Sequence, residues 1–193
     1  MTARLLPALL AALLLSIAVP PAFAQKVEQP DPALIQLVKQ AASDNSGFRD
    51  KYVAQVWLMT MSQRLAPLIP DDGRRLTLLK MIHEEATRAN VSPELVLSVI
   101  DVESRFDRFA ISRVGAQGLM QIMPFWLKLI GRPDDNLFHV RTNLRMGCTI
   151  LKYYLDKSHG DIREALQRYN GVTDGINYSD KVLKALSRKW YWD

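Results

Sequence analysis

The sequence predicts a mainly α-helical protein, a helical domain with at most a small β-hairpin, preceded by an N-terminal helical extension. Three observations carry this reading. Apolar residues recur every three or four positions through most of the chain beyond residue 30, the period of a helix with one buried face. The gaps between these runs hold helix signals: Asp31-Pro32, Ser92-Pro93-Glu94 and Asp161 as starts, Asn90 and Gly131-Arg132-Pro133 as stops. No stretch sustains strict apolar–polar alternation, so any β-structure is confined to a hairpin near 105–117.

The first 24 residues stand apart. Arg4 is the lone charge before an apolar run from Leu5 to Val19, followed by Pro20-Pro21 and Ala22-Phe23-Ala24. That is the order of a signal peptide: basic start, short apolar middle, small residues at the cut. The run is shorter than the roughly 20 residues that span a bilayer, and the prolines would break such a helix. Cleavage near Ala24 is therefore expected, giving an exported chain with no stable membrane insertion. No Cys lies near that cut to carry a lipid anchor.

Residues 25–73 read as the N-terminal helical extension. One helix is expected over 31–43, where Leu34, Ile35, Leu37, Val38 and Ala41 share a face, and another from about Phe48 to Leu65. Pro67, Pro70 and Asp71-Asp72-Gly73 separate them from the main domain, 74–193. There, Leu76, Leu79, Ile82, Ala86 and Ala89 mark one helix, and Ser92-Pro93-Glu94 opens the next with a cap, a first-turn proline and an early acid. Beyond a Gly-bearing turn, a short helix is expected near Leu119 to Leu127, a long one over Arg141–Lys157, one over 162–169 behind Asp161, and a last one over 179–189.

Composition excludes several classes. The net charge of +5 becomes +4 without the leader, since Arg4 goes and no acid does. A modestly basic surface suits anionic polymers, and nothing resembles a nucleic-acid-binding motif. The single Cys148 sits on an apolar helix face with Leu144, Gly147, Leu151 and Leu155, and reads as a small buried apolar residue. His83-Glu84-Glu85 begins like a zinc-binding helix, but Thr87 stands where the second His is needed. No metal and no cofactor is implied.

Glu103 is the residue that suggests chemistry. At about 100° per residue, Val96, Val99 and Ile100 point in nearly its direction, while Asp101 lies on the far side. A carboxylate on an apolar face favours its protonated form, which is what a general acid near neutral pH requires. The residues alone leave open an ion pair with Arg105, Arg108 or Arg113.

From Glu103 the chain reads Glu-Ser-Arg-Phe-Asp-Arg-Phe-Ala-Ile-Ser-Arg-Val-Gly-Ala-Gln-Gly-Leu-Met-Gln-Ile-Met-Pro. This segment resembles the catalytic segment of the soluble lytic transglycosylase (SLT) family, in Glu103-Ser104, Ser112, Gly115-Ala116, Gly118-Leu119-Met120-Gln121 and Met123-Pro124. Ala165-Leu166 and Tyr169-Asn170-Gly171 resemble a second family signature, and Tyr178 with Val182 fits the stretch after it. The resemblance runs from about 80 to 190 and implies a lysozyme-like fold.

It also implies roles. Glu103 matches the family's sole catalytic carboxylate, Ser112 a serine that hydrogen-bonds the sugar beside the cleaved bond, and Gln121 and Met123 residues lining the glycan cleft. Tyr169 matches a tyrosine whose hydroxyl orients the acid, and Asn170 a sugar-contacting amide. The implied activity is cleavage of the MurNAc-β-1,4-GlcNAc bond of peptidoglycan without water, leaving 1,6-anhydroMurNAc ends. The expected partners are peptidoglycan strands and a cell-envelope or secretion-assembly protein, and the expected location is the periplasm or the medium. Arg168 and Val172 depart from the commoner Ala-Tyr-Asn-Ala-Gly form, which alters the cleft wall. Two alternatives stay open: a goose-lysozyme-type muramidase using Asp107 as second carboxylate, and a non-catalytic glycan-binding assembly factor. Asp107 is assigned to structure, because the family needs one carboxylate, and Met120 to the core.

Overall fold

The computed structural model describes residues 51–130, 134–171 and 176–192. The expected leader, the helix at 31–43 and the break at 131–133 lie outside the described residues. Seven α-helices follow in order: α1 (Lys51–Leu65), α2 (Asp72–Arg88), α3 (Pro93–Glu103), α4 (Phe125–Ile130), α5 (Val140–Lys157), α6 (Ile162–Asn170) and α7 (Ile176–Ala185), the last running into a π-helical turn, Leu186–Trp190. The chain is mainly α, as expected. In place of a hairpin, the described residues form two isolated antiparallel bridges, Ile111 with Gln117 and Gln117 with Ile122.

The caps read from sequence are real. The Ser92 hydroxyl accepts from Leu95 N at 3.2 Å, and Asp161 Oδ1 accepts from Glu164 N at 3.1 Å. Each satisfies an amide that the first helical turn leaves without a partner. Two helices fall elsewhere than expected. The short one starts at Phe125 rather than Leu119, because Gln117 and Ile122 exchange backbone bonds of 2.9 and 3.0 Å and close 117–122 into a turn. The last one starts at Ile176 rather than 179 and widens at Leu186. That wider turn brings Lys189 Nζ and Trp190 Nε1 onto Asp101 Oδ2 at 2.9 and 3.0 Å.

The core is built around α3. Six consecutive residues, Leu95 to Ile100, are buried, so this helix is enclosed on all sides rather than on one stripe. It packs against α2, α7 and the π-helical turn, while α5 packs on α2 and α6. Trp190 closes the side that Asp101 faces, its ring 5.4 Å from Phe106. From α1, Trp57, Met61 and Leu65 join the same core, and Trp57 Nε1 donates to Glu94 Oε1 at 2.6 Å. Cys148 is buried within α5, as expected. Gly147 beside it leaves the space that Met120 fills, since a Cβ there would lie 2.3 Å from the Met120 sulfur.

One polar cluster crosses the α2–α5 interface. The buried Glu85 carboxylate takes Arg88 Nε at 2.7 Å, Arg141 Nη1 at 3.3 Å and Arg145 Nη2 at 3.4 Å. Arg88 Nη2 continues to Thr149 Oγ1 at 3.1 Å. Deleting the acid would leave the buried Arg88 guanidinium without its anion, the costly way to break such a cluster. Glu85→Ala is expected to lower unfolding free energy by about 3–5 kcal/mol in urea titrations. Asp180→Ala, which removes only the exposed pair with Arg163, should cost less than about 1 kcal/mol.

Candidate active site

Glu103 is the last residue of α3, and the chain turns away directly after it. Ser104 caps the helix, and Arg105 and Phe106 take left-handed φ values of 51° and 66°. Such values are unfavourable for L-residues; here the buried Phe106 ring packs on Trp190 and offsets them. With the helix stopped at this point, the Glu103 carboxyl stands at its end, partly buried.

The wall beside it is the irregular segment Gln117–Gln121, whose backbone polar groups are taken up one by one. Asn143 of α5 accepts from Met120 N at 2.8 Å and donates Nδ2 to Gln117 O and Leu137 O, both at 2.9 Å. That uses the amide's oxygen and both of its protons. Ser104 Oγ donates to Leu119 O at 2.8 Å, Tyr169 Oη to Met120 O at 2.9 Å and Gln121 Nε2 to Gly118 O at 2.9 Å. A side chain at Gly118 would place its Cβ 2.4 Å from Asn143 Nδ2 and 2.5 Å from Leu137 O. Glycine is required there by contact as well as by its φ of 76°.

A hydroxyl also holds the acid, but not the expected one. Tyr178 of α7 donates to Glu103 Oε1 at 2.7 Å, whereas the Tyr169 hydroxyl is spent on Met120 O. Tyr169 still lies close enough for Glu103 to raise its pKa, after burial, and the same holds for Tyr178. Both phenols therefore stay protonated, which keeps Tyr178 a donor. Burial pushes the Glu103 carboxyl from 4.5 up to about 7, against the smaller lowering effect of the Tyr178 bond. The group can thus give and take a proton near neutrality. The three arginines that could have paired with it, Arg105, Arg108 and Arg113, are exposed.

The remaining sequence candidates divide. Ser112 lies in the loop before the wall; its hydroxyl accepts from Ala116 N at 3.0 Å and keeps its own proton to donate. Gln121 belongs to the wall itself, and its amide nitrogen reaches both Gly118 O at 2.9 Å and Ala110 O at 3.2 Å. Met123 is partly buried against the core, and Asn170 is partly buried at the end of α6. Met120 is core, as assigned. Asp107 is exposed, and its carboxylate accepts from Phe109 N at 2.8 Å. It is not one helical turn from Glu103, because α3 has ended.

Asn143, Ser104 and the Tyr178 hydroxyl were missed as site-forming groups. Ser104 and Tyr178 sat inside motifs already noted. Asn143, a lone amide beside the apolar face of α5, was a readable signal.

The chain resembles known proteins over this region. A family model described as Transglycosylase SLT domain matches residues 80–187. A transglycosylase of Enterobacteria phage PRD1 is 37% identical over 93 residues, covering 48% of this chain and 34% of the relative. The membrane-bound lytic murein transglycosylase C of Yersinia pestis (strain Pestoides F) is 31% identical over 121 residues, 57% of this chain and 34% of the relative. The same protein from Yersinia pseudotuberculosis serotype O:1b (strain IP 31758) gives the same figures. The chain thus spans about a third of the length of these curated relatives.

The raised Glu103 pKa has a consequence for stability. The folded protein holds a proton that the unfolded chain releases above about 4.5. This contribution is fully present below about pH 4.5 and is lost as the pH climbs through about 7. The change is on the order of 3 kcal/mol. Glu103→Gln should match the parent's melting temperature near pH 4 and exceed it near pH 8, in calorimetric scans across that range.

Proposed function

Given that this chain belongs to the transglycosylase SLT domain family, we propose that it is a peptidoglycan lytic transglycosylase with Glu103 as its general acid and base. The observation that carries this reading is the Glu103 carboxyl, raised by burial to about 7 and held by Tyr178 at 2.7 Å, beside the hydrogen-bonded wall Gln117–Gln121. Lytic murein transglycosylases are among its relatives.

The reaction follows from that carboxyl. Protonated Glu103 gives its proton to the glycosidic oxygen between MurNAc and GlcNAc, and the C1–O4 bond breaks with O4 leaving as a hydroxyl. The muramyl 6-hydroxyl oxygen attacks C1 and its proton passes to the Glu103 carboxylate. The product is a 1,6-anhydro end, no water is consumed, and the acid is reset. An internal hydroxyl replaces a captured water, which lowers the entropic cost of the second step. Ser112, Gln121, Met123, Tyr169 and Asn170 line the glycan's path in this reading, and Tyr178 is a positioning residue. Asp107 as a water-activating second carboxylate is disfavoured, because its carboxylate is exposed and caps a turn. The chain acts on the wall after export, in the periplasm or outside the cell. No helix among the described residues is long and apolar enough to cross a membrane.

Two measurements test this. Purified peptidoglycan incubated with the protein should release muropeptides ending in anhydromuramic acid by mass spectrometry, and none with Glu103→Gln. Reducing-end muramic acid would instead make the protein a hydrolase, and no release would favour a binding role. Tyr178→Phe removes a bond that favours the ionised carboxylate, so the alkaline limb of kcat/KM should move to higher pH. Its kcat should fall about tenfold, less than the loss expected from removing the acid itself.

A further inference from the structure

Apart from Ser112, the loop that leaves the acid carries side chains to which the proposed reaction gives no part. Between Arg105 and Val114, three large apolar side chains stand in solvent: Phe109 at 62% exposure, Ile111 at 64% and Val114 at 60%. Arg105, Arg108 and Arg113 alternate with them and are also exposed, against the single acid Asp107. The Arg108 guanidinium lies 4.7 Å from the Phe109 ring centroid, so cation and aromatic ring form one unit.

The loop is anchored as a stiff projection. Phe106 is buried on Trp190 at its base. Gly118 N and Gln121 Nε2 both donate to Ala110 O, at 2.9 and 3.2 Å. Ser112 N donates to Ala116 O at 2.9 Å, and Gly115 N to Ser112 O at 3.0 Å. That closed turn puts Arg113 and Val114 at its tip. A projecting turn of this size is small beside the 20–30 residues per side of a stable protein–protein interface. Apolar side chains beside cations on such a projection match the interface of an anionic bilayer, where acyl boundary and headgroups are taken up together.

We propose that the 105–114 loop is a peripheral docking element for an anionic phospholipid surface. Val114 and Ile111 enter the interfacial layer, and the three arginines meet lipid phosphates. The chain is held beside the bilayer without spanning it, with the wall segment Gln117–Gln121 next to the docked face. The docking side chains, Arg105, Arg108, Ile111, Arg113 and Val114, are distinct from Ser112, the loop's one residue on the proposed glycan path.

The test places an environment-sensitive fluorophore on Val114→Cys in the full chain; the natural thiol, Cys148, is buried and its pKa is pushed up, so it does not compete. A probe on the loop reports that loop alone, whatever the N-terminal residues bind. The emission should brighten and shift to the blue with phosphatidylglycerol vesicles, respond little to phosphatidylcholine vesicles, and weaken in high salt. Adding Arg108→Gln and Arg113→Gln to the labelled protein should reduce apparent vesicle affinity by about tenfold or more. No change with either vesicle, or equal response to both, would overturn the proposal. So would a change seen only with insoluble peptidoglycan, which would assign the loop to the acidic peptides of the wall.

Discussion

Everything at the candidate site depends on a stretch of backbone that forms no regular structure and yet has its carbonyls satisfied. Gln117, Gly118, Leu119 and Met120 offer oxygens that a helix would have bonded internally. Here they are met by Asn143, Gln121, Ser104 and Tyr169, side chains from α5, the wall itself, the end of α3 and α6. A buried carbonyl without a donor would cost free energy comparable to a lost hydrogen bond. The segment therefore has one arrangement in which its polar groups are met, and that arrangement requires the helices to be in register. Helix packing and wall geometry become the same condition.

The acid depends on the opposite treatment. Among the described residues, Glu103 receives the Tyr178 hydroxyl, where a carboxylate could accept several bonds. Were it given the donors that the wall enjoys, its proton would be lost well below neutrality. The two halves of the site thus differ in purpose: the wall is saturated and fixed, the carboxyl is left under-solvated and titratable. Tyr178 supplies direction without removing that readiness, because its own burial beside Glu103 keeps the phenol protonated.

What sequence could reveal follows the range of the interactions. The Ser92 and Asp161 caps act within three residues, and both were legible. The apolar face beneath Glu103 was legible from periodicity alone, and so was the burial of Cys148. The helix expected from Leu119 was not there, because an apolar spacing that suits a helix was overridden by partners 15 to 49 residues away in the chain. The tyrosines show the same limit. Tyr169 and Tyr178 sit on successive helices, and which hydroxyl meets Glu103 is fixed by how α7 packs on α3. Family resemblance gave that hydroxyl to Tyr169; the packing puts the Tyr178 hydroxyl on Glu103 and the Tyr169 hydroxyl on Met120 O.

The helix that carries Glu103 is tied at both ends by residues beyond the matched span of 80–187. At its first turn Trp57 bonds Glu94, and near its last turn Trp190 bonds Asp101. Both indoles are buried in the core that α3 organises. A fragment trimmed to the family's limits would remove a buried indole and its hydrogen bond from each end of the acid's own helix. The unit that folds is thus larger than the unit that is recognisable, and its first and last described segments are as much part of the acid's scaffold as the motif around it.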